Sequence, residues 1–210
     1  QGFGKATNQP CSTENRWYVE GLQDIPQDLD EAKRLMKEAG YEDGVDVQLI
    51  TVGSVTELVM LSQIYQYQLK EIGINVVINA HDEGTWFDRL ENGDFDNILY
   101  HEAENPDYDT FFTTWALPDE GYHSITGSGK GYDNPQMTEW IYEARRLNGF
   151  DQRKAIYAKA LQLMIDENPM MVLVGYSNPY GYQNYVKGWE VKTNQMIRWR
   201  EGGTGPRLVG

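Results

Sequence analysis

The spacing of apolar residues along this chain switches repeatedly between the helical period and the strand period. That alternation constrains the fold more than any other feature. Helices and strands that follow one another in turn build a sheet with helices on its faces, because each element must bury its apolar stripe against a neighbour. Asp28 reads as an N-cap, with Glu31 three residues on. Ala32, Leu35, Met36 and Ala39 then form one helical face, which Gly40 ends. Val45 to Val52 alternates and is β-branched, hence a strand. Gly53 and Ser54 open a second helix, with Val55, Leu58, Val59, Ser62, Tyr65 and Leu69 on its face and a stop at Gly73. Ile74 to Ile78 is a short strand, and an amphipathic helix follows around Trp86, Phe87 and Leu90. Asn92-Gly93 turns the chain into a strand over 95–100.

The second half repeats the rhythm with more aromatic content. A short helix runs through Phe111, Phe112 and Trp115, and 118–133 is Gly-rich and reads as a loop. Asn134-Pro135 is a cap followed by proline at the first helical position, before Met137, Trp140, Ile141 and Ala144. Asp151 caps a helix that turns Ala155, Ile156, Ala160, Leu163 and Met164 inward, and Met170 to Val174 reads as a buried strand. The expected fold is α/β: a three-layer lobe with a mostly parallel or mixed sheet flanked by helices. This lobe is expected over 26–185. Residues 1–25 and 186–210 lack the rhythm and read as connections to a second lobe, so the chain is expected to be a fragment.

Charge and composition narrow the function. The 210 residues carry 32 Asp and Glu against 18 Lys and Arg, a net charge of −14. Such a surface repels nucleic acid and anionic lipid. No run approaches 18 uninterrupted apolar residues, the length a spanning helix needs. Cys11 is the only cysteine, so no intramolecular disulfide forms, and it has no His or Cys partner in a motif. The 14 Tyr and 6 Trp suit either a core or a polar-aromatic cleft.

The strongest candidate site is His101-Glu102-Ala103-Glu104-Asn105-Pro106-Asp107-Tyr108-Asp109. It lies just past the C-terminal end of an expected strand, where open α/β sheets bind ligands. Its four carboxylates repel one another unless a ligand amine or a partner Arg relieves them; a solvated acidic loop is the alternative. His81, His101 and His123 with Glu102 and Glu104 match no metal-ligand spacing, and neither a metal nor a cofactor is expected. Gly127-Ser128-Gly129-Lys130-Gly131 lacks the spacing of a phosphate loop. There is no Gly-x-Ser-x-Gly elbow. Paired carboxylates beside aromatics leave a carboxylate-dependent hydrolase as the rival from another class. The Tyr-rich run 176–185 reads either as a cleft-lining loop or as packing against another part of the protein.

Six segments in order carry a resemblance. They are Asp28 to Tyr41 with Asp43-Gly44; Leu69-Lys70-Glu71-Ile72-Gly73-Ile74-Asn75-Val76; Gly93-Asp94-Phe95-Asp96; Tyr132-Asp133-Asn134-Pro135; Asp151-Gln152-Arg153-Lys154-Ala155-Ile156-Tyr157; and Tyr185-Val186-Lys187-Gly188-Trp189. Together the chain resembles the extracellular solute-binding protein family 5, the oligopeptide-, dipeptide- and nickel-binding receptors of ABC importers. The resemblance implies a periplasmic-binding-protein type II-like fold, with this chain as the C-terminal lobe. It implies a peptide held between two lobes by domain closure, an ABC permease as membrane partner, a monomer, and an extracytoplasmic place, periplasmic or surface-anchored as a lipoprotein. The family's acid that meets a peptide's α-amine falls on Glu104, an Asp in peptide-binding members, and the Trp three residues before it is His101 here. An oligosaccharide is the alternative ligand. The expected ligand-binding set is Glu104 as charge anchor, with His101, Glu102, Asn105 and Asp107 beside it and Tyr108, Trp115 and Trp86 as aromatic walls.

Overall fold

A computed structural model describes residues 4–23, 25–102, 105, 107–118, 132–176, 181, 183–187 and 207–208. The elements in chain order are β1 (Gly4–Ala6), α1 (Leu29–Glu38), β2 (Val45–Val52), α2 (Thr56–Lys70), β3 (Ile74–His81), α3 (Glu83–Asn92), β4 (Asn97–Leu99), α4 (Tyr108–Trp115), α5 (Pro135–Arg145), α6 (Phe150–Glu167), β5 (Val174–Tyr176), β6 (Val186–Lys187) and β7 (Arg207–Leu208). They fall into two compact units. The first comprises Gln1–Asp24, Ala103–Thr114 and Asn134–Gly210, the second Ile25–Glu102 and Trp115–Asp133.

The second unit is α/β. β2 pairs in parallel with β3 on one side and β4 on the other, giving the order β3-β2-β4. Leu49, Ile50, Thr51 and Val52 are all buried, although successive side chains point to opposite faces. Both faces of the central strand are therefore covered along its C-terminal half, as parallel strands require. One core cluster joins Ile50 and Val52 to Leu58 of α2 and to Trp86 and Leu90 of α3. The strands start in register because Gly44 and Gly73 approach closely: Val45 donates to the Gly73 carbonyl at 3.1 Å, and both glycines have positive φ. A Cβ on Gly44 would sit 2.8 Å from that carbonyl oxygen.

Helix ends follow the local chemistry. Asp28 accepts from the Glu31 amide at 2.9 Å and Asp82 from the Thr85 amide at 3.1 Å, capping α1 and α3. Gly93, left-handed at φ 63°, ends α3. In the first unit Asn134 accepts from the amides of both Gln136 and Met137, capping α5. α5 packs on α6, and an aromatic core forms where Trp17 meets Tyr108, Phe150 and Tyr157 and where Phe112 stacks on Tyr157 at 5.5 Å.

Several sequence expectations are corrected. α2 begins at Thr56 rather than at Gly53-Ser54, because the Gly53 amide still donates to the His81 carbonyl at 2.7 Å and prolongs the strand pairing. β3 runs on to His81, since Asn79, Ala80 and His81 remain in register with Ile50, Thr51 and Val52. β4 is limited to the three residues that pair with Leu49, Ile50 and Thr51. Gly149, not Asp151, caps α6; Asp151 sits in the first turn, where its charge meets the positive helix end. The segment expected as a buried strand at 170–174 is open: Met171 is 58% exposed, and the strand is Val174–Tyr176, paired antiparallel with β1. An apolar run alone does not distinguish a core strand from a surface one. Most of the Gly-rich segment expected as a loop at 118–133, and part of the Tyr-rich run 176–185, lie outside the described residues.

Candidate functional site

In the second unit the strands of the parallel sheet all end on one edge, at Val52, His81 and Leu99. The chain leaves that edge through Tyr100, His101 and Glu102. Tyr100 stacks on the buried Trp86 with ring centroids 4.4 Å apart, and the His101 ring lies 5.3 Å beyond Tyr100. His101 and Glu102 are exposed. The Trp115 indole donates from Nε1 to Glu102 Oε2 at 3.1 Å. Packing around its carboxylate raises the Glu102 pKa, partly opposed by that indole hydrogen bond and by His101. Burial likewise raises the Tyr100 hydroxyl, helped by the carboxylates of Glu102 and Glu83. Two buried nitrogens in this unit, His81 Nε2 and Trp86 Nε1, have no hydrogen-bond partner.

In the first unit the remainder of the acidic stretch is tied down by arginines. Asp107 accepts from Arg153 through both guanidinium nitrogens, at 2.7 and 2.8 Å, which is fork-on-fork geometry. Asp107 Oδ1 also takes the Asp109 amide at 2.9 Å and so starts α4. Asp109 accepts from Arg145 Nε at 2.7 Å and from the Tyr157 hydroxyl at 3.0 Å, and Arg145 reaches Thr113 as well. Burial first, then the charge of Asp109, holds the Tyr157 hydroxyl well above its usual value, and Arg153 partly offsets this. Tyr108 is 1% exposed, its hydroxyl 3.3 Å from Gln9 Oε1 and 2.9 Å from Cys11 Sγ.

The expected site residues thus divide by environment. His101 and Glu102 are open to solvent, with Glu102 joined to Trp115. Asn105 is half-buried. Asp107 is engaged by Arg153. Tyr108, Trp86 and Trp115 are 1%, 0% and 4% exposed and present no open face in their own units. Glu104 lies outside the described residues. Sequence reasoning did not single out Arg145, Arg153 and Tyr157 as partners of this stretch. The signal was available in the crowded carboxylates, which require cations nearby. Among the described residues, no three His, Cys, Asp or Glu side chains gather to hold a metal ion. No described helix is long and apolar enough to cross a membrane.

Comparison with known proteins agrees with this architecture. The chain is 31% identical over 163 residues to di/tripeptide-binding protein 2 of Pseudomonas aeruginosa, covering 74% of this chain and 30% of that protein. It spans about a third of the length of the curated relatives it matches. Its fold matches a dipeptide-binding protein of Pseudoalteromonas sp. SM9913 in complex with Met-Leu, with a TM-score of 0.75 and 24% identity, over 93% of this chain and 39% of that one. It also matches a mannohexaose-bound oligopeptide-binding protein of Thermotoga maritima, with a TM-score of 0.74 and 20% identity, over 91% of this chain and 40% of that one. The family model for bacterial extracellular solute-binding proteins, family 5 Middle, matches residues 1–123. The parallel sheet, the segment that leaves its C-terminal edge and the match over more than half of the sequence together place the chain in the extracellular solute-binding protein family 5.

Proposed function

We propose that this chain is one ligand-binding lobe of a receptor that delivers peptides to an ABC importer, and that Glu104 meets the peptide's α-ammonium. The observation that carries the reading is that Tyr100, His101 and Glu102 leave β4 at the C-terminal edge of a parallel sheet, in a chain of this family. A relative named for di- and tripeptides supports the choice of ligand. His101, Glu102 and Asn105 flank the anchor. Trp86 and Trp115 back Tyr100 and Glu102, and Asp107 and Tyr108 secure the segment that follows. A second lobe closes on the peptide, and the permease recognises the closed form. The receptor works outside the cytoplasm as a monomer, anchored as a lipoprotein or free in the periplasm, and performs no chemistry on its ligand.

The same fold holds a dipeptide in one relative and mannohexaose in another, so the fold does not choose between them. Calorimetry on the full-length protein with Ala-Leu, N-acetyl-Ala-Leu and mannohexaose makes the choice. Acetylation, or Glu104→Gln, is expected to weaken Ala-Leu binding by at least roughly thirtyfold, because the ammonium–carboxylate pair is lost. Equal binding of the acetylated peptide, or binding of mannohexaose alone, sinks the peptide reading. Hydrolysis of either ligand that disappears with Glu102→Gln or Glu104→Gln replaces the receptor with a hydrolase.

A further inference from the structure

Where a described cation is fixed by a neighbour, that neighbour is usually a carboxylate: Lys5 meets Glu14, Arg34 meets Glu31 and Glu38, and Arg89 meets Asp94. Arg16 and Lys154 of the first unit depart from this. The Arg16 guanidinium lies 3.9 Å from the centre of the Phe150 ring and 5.7 Å from that of the buried Trp17. Lys154 Nζ donates to the Arg16 carbonyl at 2.7 Å and stands 6.0 Å from the centre of the same Phe150 ring. The two cations thus share one aromatic seat, with Arg16 exposed and Lys154 half-buried. Among the described residues, no carboxylate lies within ion-pair distance of either charge.

Two like charges held side by side repel, and an aromatic face offsets that only in part. Both side chains are ordered before any partner arrives, so an anion that meets them has little freedom left to remove. The kind of anion follows from the charge of the whole chain. At −14 the chain is repelled by a continuous anionic surface such as a bilayer. A few carboxylates on a protein loop instead act over about 8–10 Å, the screening length near physiological salt, and so feel these two cations more than the distant acids. We propose that Arg16 and Lys154 form a docking point for a carboxylate-bearing extracytoplasmic loop of the ABC permease. The inference rests on the receptor reading above and adds where, and with which charges, the two partners meet.

The test uses the full-length protein and its permease in phosphatidylcholine nanodiscs. Docking is read by biolayer interferometry at low and high salt, and Ala-Leu affinity by calorimetry. Arg16→Met/Lys154→Met keeps apolar stems on Phe150 and removes both charges. It is expected to weaken docking roughly tenfold at low salt and less at high salt, with Ala-Leu affinity unchanged. Arg16→Lys/Lys154→Arg, which keeps both charges, should dock like the parent protein. Equal docking by the charge-free variant overturns the proposal. A loss of Ala-Leu affinity in step with docking also overturns it, because the pair then serves the inside of the receptor. Binding to phosphatidylglycerol vesicles that needs the two cations, without docking on the nanodiscs, assigns them to lipid and overturns it too. If the charge-free variant does not fold, Arg16→Gln and Lys154→Gln singly carry the same comparison, at about threefold each. A protein that docks through these cations but binds no Ala-Leu loses the peptide reading and keeps this one. A protein that binds Ala-Leu but never docks keeps the ligand and loses this proposal.

Discussion

The two units of this chain bury their interiors by different means. The second unit is held by aliphatic and aromatic packing across a parallel sheet, with Ile50, Val52, Leu58, Trp86 and Leu90 in one cluster. The first has an aromatic core around Trp17 and Tyr157, stitched to the acidic stretch by Asp107–Arg153 and Asp109–Arg145. Apolar burial is non-directional and carries no charge for salt to screen, whereas partly buried ion pairs are directional and partly screened. The candidate ligand segment thus continues from a unit whose ion pairs are exposed on its surface into one whose ion pairs are partly buried.

Four substitutions probe that contrast, in decreasing order of effect. Trp17→Ala should cost about 3–5 kcal/mol, because the ring is fully buried among Tyr108, Phe150 and Tyr157. Hydrogen exchange should show the loss in α5 and α6, and equal loss in β2 and β3 would break the contrast. Gly44→Ala should cost about 1–3 kcal/mol, from a left-handed backbone and a Cβ pressed on the Gly73 carbonyl. Here the weakened amides should be those where β2 and β3 begin, and denaturant melts give the magnitude. Asp107→Asn should cost about 1–2 kcal/mol by leaving Arg153 without its counter-charge. That cost should shrink between 0.05 and 1 M salt, roughly the range over which screening lengths collapse; a salt-independent cost contradicts the ionic account of the first unit.

The smallest effect concerns Glu102. Its folded pKa is raised, so the native state favours the protonated form. Stability from this group is present at acid pH and is lost as pH rises through the folded value. Glu102→Gln should therefore leave stability unchanged at low pH and raise the melting temperature slightly at pH 7, with Gln Oε1 still accepting from Trp115. Thermal melts at the two pH values check this, and a variant that is less stable at pH 7 reverses the sign.

Much of the second unit was legible in the sequence, because each of its elements carries its own punctuation. Asp28 with Glu31, Gly40, the alternation of 45–48 and Gly93 all behave in the fold as their local chemistry dictates, while 49–52 are buried on both faces. The misread boundaries lie where a tertiary partner decides: the Gly53 amide belongs to His81, and the pairing of β4 is limited by β2. α2 was harder to read because its outer side also carries Met60, Ile64 and Tyr67, all exposed, so apolar spacing alone did not mark the buried face. In the candidate site the acidic stretch was singled out by its charge density, by its place after an expected strand and by the family resemblance. The division of labour within it was not, since Arg145 and Arg153 are separated from it by more than thirty residues and nothing local announces the pairing. Tyr108 and Trp86 show the same limit: an aromatic side chain looks alike in sequence whether it lines a cleft or fills a core.

The segmentation of the units also sets an order of assembly. β2 and β3 join residues 29 positions apart, with only α2 between them, so the second unit's sheet begins from nearby chain. The first unit ties Gln9 to Tyr108 across 99 positions and Gln23 to Gln162 across 139. Closing such loops is slow, because the entropy of bringing distant segments together is spent before any contact rewards it. During synthesis β2, α2 and β3 emerge and can pair while α5 and α6 are still unmade. Arg145 and Arg153 are made after the acidic stretch, so Asp107 and Asp109 stay unmatched until α5 and α6 have emerged.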